Sequence, residues 1–320
     1  MRKLILILFI SMLALSLTGC AKKSVAEEQS GKISIISTVF APFDFTREIA
    51  GGYAEITMLL PPGSECHSYE PTPQDIIKIQ NCDIFIYIGG DSDSWVQKVL
   101  ESMDTKNMEI ITLMDCVDVV REELVEGMEE DHEEHEEHEE VHGEHEYDEH
   151  VWTSPKNAKL IVQKISDVIC TIDSANAAAY EKNTTTYIAK LDELDREFQA
   201  IASSAAIKTL VFGDRFPFRY FADAYDFQYF AAFPGCSTET EASAATIAFL
   251  IDKVNAEEIP VVFHAEMSNK KMANTISEAT GAEVLLFHAC HNVTKDEMAA
   301  GVTYIDLMKQ NIENLKEAVK

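Results

Sequence analysis

Basic residues are scarce in this 320-residue sequence: 26 Lys and Arg stand against 55 Asp and Glu, a formal net charge of -29. Such a chain repels phosphates, which excludes nucleic acid as a partner and leaves cations as compatible ones. The imbalance is local, because residues 122–149 hold 16 Asp or Glu and no Lys or Arg. The signatures of catalysis are missing too. There is no Gly-x-Ser-x-Gly elbow and no phosphate-cradling glycine loop, and the one His-Glu-x-x-His run, His138 to His142, falls inside the low-complexity acidic stretch where no helix is expected to present it, so a zinc hydrolase, the enzymatic alternative, has little to stand on and the chain reads as a non-enzyme. No Cys-x-x-Cys occurs, which excludes a cysteine-only zinc knuckle. Beyond the N-terminus no apolar run reaches membrane-spanning length.

What the N-terminus has is an export address. A basic start, Met1-Arg2-Lys3, precedes an apolar run from Leu4 to Leu17 that is short for a membrane span and shaped like a signal peptide. It ends in Leu17-Thr18-Gly19-Cys20, a bacterial lipobox in which Cys20 receives lipid. Residues 1–19 are thus expected to be a lipoprotein signal peptide and 20–31 a polar, lipidated tether. The expected location is extracytoplasmic, anchored by lipid to the bacterial cell membrane. Six further cysteines, at positions 66, 82, 116, 170, 236 and 290, sit in a compartment that permits disulfides, and spacing does not assign pairs.

The folded part alternates strand and helix patterns. Strands are expected at 32–40, 54–61, 83–90 and 109–115, with helices at 72–82 and 93–103. The acidic, His-rich stretch 122–149 cannot bury a core and reads as a loop. Order resumes at 150–170, where Ser154-Pro155 reads as a helix start. Residues 175–204 read as one helix of about 30 residues, about 45 Å long, with Tyr187, Leu191, Leu194 and Phe198 on one face. Strands at 207–214, 228–235, 260–266 and 282–291 then alternate with helices at 217–227, 239–258, 268–281 and 301–320. The expected fold class is α/β: two lobes with parallel sheets joined by a long bridging helix, the ligand in the cleft between them. The boundaries are 32–173 for the N-terminal lobe with its loop 122–149, 174–205 for the bridge and 206–320 for the C-terminal lobe.

Ten histidines are present. His132, His135, His138, His142 and His145 lie in the acidic loop, where interleaved glutamates suit weak, multi-site metal collection that a flexible loop keeps loose. His67, His150 and His288 each sit at a strand end or a loop-to-helix junction, where open α/β sheets bind ligands. Neutral imidazole is the commonest transition-metal side-chain ligand. Taken singly, each is better read as a surface or capping histidine; all three falling at such junctions weakens that reading without proving that they converge. Trp95 and Trp152 read as packing residues.

The run Gly63-Ser64-Glu65-Cys66-His67-Ser68-Tyr69-Glu70-Pro71-Thr72-Pro73, the run Asp148-Glu149-His150-Val151-Trp152-Thr153-Ser154-Pro155, the loop between them and the C-terminal Thr303 to Asn311 carry a specific resemblance. From about residue 32 to 320 the chain resembles the zinc and manganese solute-binding lipoproteins of ABC transporters, and its loop is similar to that of the zinc members. The resemblance implies metal held between two lobes, with His67 and His150 at the first two ligand positions. Two positions depart from the family pattern. Arg215 stands where a His or Glu is usual, and arginine cannot coordinate a cation. His288 stands where an Asp is usual. The expected core is therefore His67, His150 and His288, with Glu239, Glu241, Cys290 or His291 as candidates for a fourth or supporting role, or water. Glu239 and Glu241 are equally readable as helix N-terminal acids, and Cys290 with Cys236 as a disulfide. His264 and His291 read first as structural. Asp214 and Arg215 are candidates for an inter-lobe ion pair or a supporting contact. Imidazoles favour Zn2+, with Mn2+ or another divalent transition metal as the alternative cargo. Implied partners are the metal ion, a membrane permease and the membrane through the lipid anchor, with the chain itself a monomer. A surface adhesin on the same fold is the rival reading.

Overall fold

The structure, a computed structural model, describes residues 31–65, 69–128, 147–235, 237 and 242–320. The expected signal peptide with Cys20, His67, the five loop histidines, Glu239 and Glu241 lie outside the described residues.

The first sheet is built from β1 (Ile33–Ser37), β2 (Ala54–Met58), β3 (Ile84–Tyr87) and β4 (Glu109–Thr112), in the order β2-β1-β3-β4 with every pairing parallel. Ile84, Phe85 and Ile86 of β3 are wholly buried, as a strand covered on both faces requires. Its crossovers are α1 (Phe40–Ala50), α2 (Pro73–Gln80) and α3 (Ser94–Glu101). The sequence reading ran a strand through Phe40 and left α1 out. Pro42 masks that helix: it lies in the first turn, where no backbone donor is needed, and Ala41, Phe45 and Ile49 repeat at four-residue spacing on the buried face. Helix α2 starts as its sequence asks, with Pro73 at the first position and a reciprocal Thr72–Asp75 capping box.

Two helices follow, α4 (Pro155–Ile172) and α5 (Ala177–Ser204). Ser154 holds the cap position of α4, but its hydroxyl is buried and makes no cap bond. The 28 residues of α5 span about 42 Å. The expected stripe of Tyr187, Leu191, Leu194 and Phe198 is buried in the largest core cluster. Asn183 donates to Ile49 O at 3.0 Å on the first-lobe side, and Tyr225 donates to Asp195 at 3.0 Å on the second-lobe side.

The second lobe repeats the plan. Its strands are β5 (Thr209–Phe216), β6 (Gln228–Pro234), β7 (Val261–His264) and β8 (Glu283–Leu286), parallel in the order β6-β5-β7-β8. The helices are α6 (Arg219–Tyr225), α7 (Ala244–Ala256), α8 (Lys271–Thr280), α9 (Lys295–Ala300) and α10 (Tyr304–Ala318). Helix α7 begins later than the sequence pattern suggested, because Ser243 caps it by accepting from Thr246 N–H. In both sheets the strand order reverses beside the first strand, the point at which open α/β sheets hold ligands. No helix among the described residues is long and apolar enough to cross a membrane.

Candidate metal centre

A cleft of about 390 Å³, counting space open to solvent, lies between the lobes. Its first-lobe wall includes Ser64, Glu65 and His150; the second-lobe wall includes Arg215, Gly235, Glu266, His291 and Asn292.

His150 is fully buried ahead of the short turn Val151–Thr153. Asp148 Oδ1 accepts from both the His150 backbone N–H at 2.8 Å and the ring Nδ1 at 3.2 Å. That contact puts the proton on Nδ1 and the lone pair on Nε2, the arrangement a metal-binding imidazole needs. Burial alone lowers the pKa of this ring, but the Asp148 charge and hydrogen bond, with Glu149 and Glu122 nearby, outweigh it and raise the pKa above the ordinary value. Gly235 leaves room for the ring: a Cβ there would stand 3.2 Å from it. Asp148 and Glu149 are themselves buried, Asp148 O accepting from Tyr220 Oη at 2.7 Å and Glu149 from Ser92 N–H at 2.9 Å.

The segment after β8 is fixed from both lobes. Glu266 accepts from Ala289 N–H at 2.7 Å and His291 N–H at 2.8 Å. Trp152 Nε1 of the first lobe donates to Ala289 O at 2.7 Å, and Phe40 N–H at the start of α1 donates to His291 O at 3.0 Å. Asn311 of α10 brackets His288, accepting from its N–H at 2.7 Å and donating to its carbonyl at 2.8 Å. Cys290 takes a left-handed backbone, φ 58°, which turns the chain between the two histidines.

This turn sorts the histidines. His291 lines the cleft, and its ring centre lies 5.3 Å from that of His150 at an interplanar angle of 82°. Two imidazoles bound at 2.0–2.1 Å to one tetrahedral ion have ring centres about 5 Å apart. His288, expected as a ligand, is not among the cleft-lining residues. Its Nδ1 accepts from Cys290 N–H at 2.9 Å, which uses the only lone pair of the neutral ring and leaves the proton on a buried Nε2 with no hydrogen-bond partner among the described residues. Cys290 is a free, fully buried thiol, so the disulfide alternative with Cys236 is not formed, and burial holds the thiol pKa far above its usual value. His264 is buried with Nδ1 2.8 Å from Ala265 O, and burial lowers its pKa, in keeping with a structural role.

Arg215, at the end of β5, is not left facing an ion. Its guanidinium makes a two-pronged ion pair with Glu65 of the first lobe at 3.0 and 3.3 Å and donates to Ser237 O at 3.0 Å. Asp214, the other candidate for an inter-lobe pair, instead accepts from the backbone N–H groups of Arg215 at 2.9 Å and Ala265 at 3.1 Å. No group of three or more His, Cys, Asp or Glu among the described residues converges on one point. The supporting residues Asp148, Glu266, Asn292 and Asn311 were not singled out from sequence. Asp148 alone carried a signal, its place two residues before His150; the other three act on backbone groups, which no residue pattern announces.

Against known proteins, the family model described as zinc-uptake complex component A, periplasmic (ZnuA), matches residues 35–318. The chain belongs to this family. It is 33% identical over 297 residues to the high-affinity zinc uptake system protein ZnuA of Bacillus subtilis (strain 168), covering 93% of this chain and 91% of that protein. It is 32% identical over 315 residues to the zinc-binding lipoprotein AdcA of Streptococcus pneumoniae (strain ATCC BAA-255 / R6), where it spans 61% of the relative's length. The Zn(II)-bound ZnuA-like domain of Streptococcus pneumoniae AdcA superposes with a TM-score of 0.74 at 29% identity, covering 90% of this chain and 99% of that one. The two-lobed fold with its paired four-stranded parallel sheets is thus that of solute-binding proteins of this family, which is a transport component and not an enzyme class.

Proposed function

We propose that this chain captures zinc in the inter-lobe cleft through His67, His150 and His291 and delivers it to the membrane permease of an ABC uptake transporter. The observation that carries this reading is the pair of rings 5.3 Å apart, one oriented by Asp148 and the other held by a segment pinned from both lobes. His67 lies outside the described residues, but Ser64 and Glu65, two and three positions before it, line the same cleft. Water or a carboxylate completes a tetrahedral site, as zinc accepts. The zinc-named relatives support the choice of cargo, and a nitrogen-rich set disfavours manganese, which prefers oxygen. The acidic loop adds weak collection: its two ends are joined by an Arg121–Tyr147 backbone bridge, and the adjoining Glu122 acts electrostatically on His150. Attachment through Cys20 places the cleft outside the cytoplasmic membrane.

The test is calorimetric titration with zinc and manganese on the chain from residue 21, with residues 129–146 removed, beside His67→Ala and His291→Ala. One tight zinc site, absent from both variants, is expected. A tight site that survives either substitution would remove that residue from the ligand set.

A further inference from the structure

The turn that leads into His67 is gripped by the opposite lobe. Asn292 Nδ2 donates to Pro61 O at 2.9 Å and Ser64 O at 2.8 Å, and Gly63 N–H donates to Val293 O at 2.8 Å. These are backbone anchors at the rear of the turn. At its front, on the cleft wall, the turn is tied to the second lobe by the Glu65–Arg215 ion pair. A fork-to-carboxylate pair fixes both distance and orientation. It is also partly open to solvent, Glu65 retaining 39% of its side-chain exposure, so it can be broken without unfolding anything.

The charges matter as much as the geometry. Arg215 brings a permanent positive charge into a cleft that must admit a cation, and Glu65 neutralises it at contact distance. We propose that Arg215 and Glu65 form a latch: the pair ties the first-lobe turn 61–65 to the second lobe across the front of the cleft and sets the rate of zinc release. Arg215 is then a positioning residue at a point where it cannot be a ligand. This rests on the zinc-binding reading above.

The latch predicts an asymmetry that packing alone does not. Glu65→Gln breaks the tie and also exposes the ion to an uncompensated guanidinium. Arg215→Gln breaks the same tie but leaves a carboxylate that attracts the ion. Stopped-flow transfer of zinc to a chromogenic chelator from the chain starting at residue 21 reads the release rate directly. Release should quicken about tenfold in Glu65→Gln and about threefold in Arg215→Gln, magnitudes fitting a half-exposed charge pair. The conservative Arg215→Lys, which keeps the charge facing Glu65 and loses only the fork, should stay within about twofold of the unmodified rate. Added salt should quicken release from the unmodified chain and have little effect on Arg215→Gln. Glu65→Gln and Arg215→Gln chains that release zinc at the unmodified rate, or an Arg215→Lys chain as fast as Arg215→Gln, overturn the latch while leaving the zinc site standing. An unmodified chain that binds no zinc overturns the site and the latch with it.

Discussion

His288→Asn and His291→Ala separate two histidines that lie three residues apart and behave oppositely in the structure. At position 288 the ring nitrogen Nδ1 accepts from Cys290 N–H at 2.9 Å, and the backbone is held by Asn311. An asparagine Oδ1 occupies nearly the place of Nδ1 and keeps that bond; what is lost is the rest of a buried ring. The cost is that of a modest core truncation, about 1–3 kcal/mol, or about 2–6 °C in Tm for a chain of this size. Zinc affinity should stay within about threefold, since the lone pair removed was never available to an ion. His291→Ala is the converse. The bond that His291 N–H donates to Glu266 and the one its carbonyl accepts from Phe40 use backbone atoms and survive, so the stability cost is again that of losing a buried ring, about 1–3 kcal/mol, while the cleft loses one imidazole. Removing an outer partner of a ligand already costs 10–100-fold in metal affinity, so losing the ligand itself should cost at least about 100-fold. Competition titration against a zinc-selective dye, with thermal unfolding of the same samples, reads both quantities. A His288→Asn variant that unfolds normally yet loses zinc as severely as His291→Ala would refute the assignment of the lone pair.

Three further outcomes follow from the geometry. Trp152 lies 5.1 Å from the His291 ring and 5.8 Å from His150, whereas Trp95 packs on Tyr69, so zinc should change tryptophan fluorescence in Trp95→Phe and leave it unchanged in Trp152→Phe; the reverse would place the ion elsewhere. Protons compete with zinc for His150, and because its pKa is raised, affinity should begin to fall above the pH at which an ordinary histidine titrates; Asp148→Asn should shift that fall to lower pH, and an unchanged pH profile would contradict the role given to Asp148. Asp44, buried under α10 where it accepts from Tyr304 N–H at 2.7 Å, has its pKa raised by burial from 3.8 to about 6 against the pull of that bond and of Arg47. The folded state therefore binds the proton more tightly than the unfolded chain, and this contribution to stability is present below pH 3.8 and lost as pH rises through about 6. Urea unfolding of the unmodified apo chain, compared with Asp44→Asn, should show the difference moving against the unmodified chain between pH 4 and 6.5; a constant difference would mean that Asp44 titrates alike in both states.

The two sheets and the long helix were legible because parallel strands are near-continuous apolar runs and the buried stripe of α5, Tyr180 to Ala202, keeps helical spacing over about six turns. Helix α1 was not legible, since a proline in its first turn looks the same in sequence as a proline that ends a strand. The site divides on the same line between what composition encodes and what backbone geometry decides. His150 stood out in the sequence as a candidate because it lies in the contiguous run Asp148 to Pro155 that opens a helix, and the structure places it in the wall of the cleft. The choice between His288 and His291 turns instead on one left-handed residue, Cys290, and on Glu266, a carboxylate more than twenty residues distant that holds two backbone N–H groups. Arg215 shows the limit most plainly. Its identity rules out coordination, but its use depends on Glu65 from the other lobe, a pairing that exists only once both sheets have formed and α5 has set their separation. A ligand position in this fold is therefore a property of the closed cleft, and replacing a coordinating residue there by a charged one need not abolish binding, provided the opposite wall supplies the compensating charge.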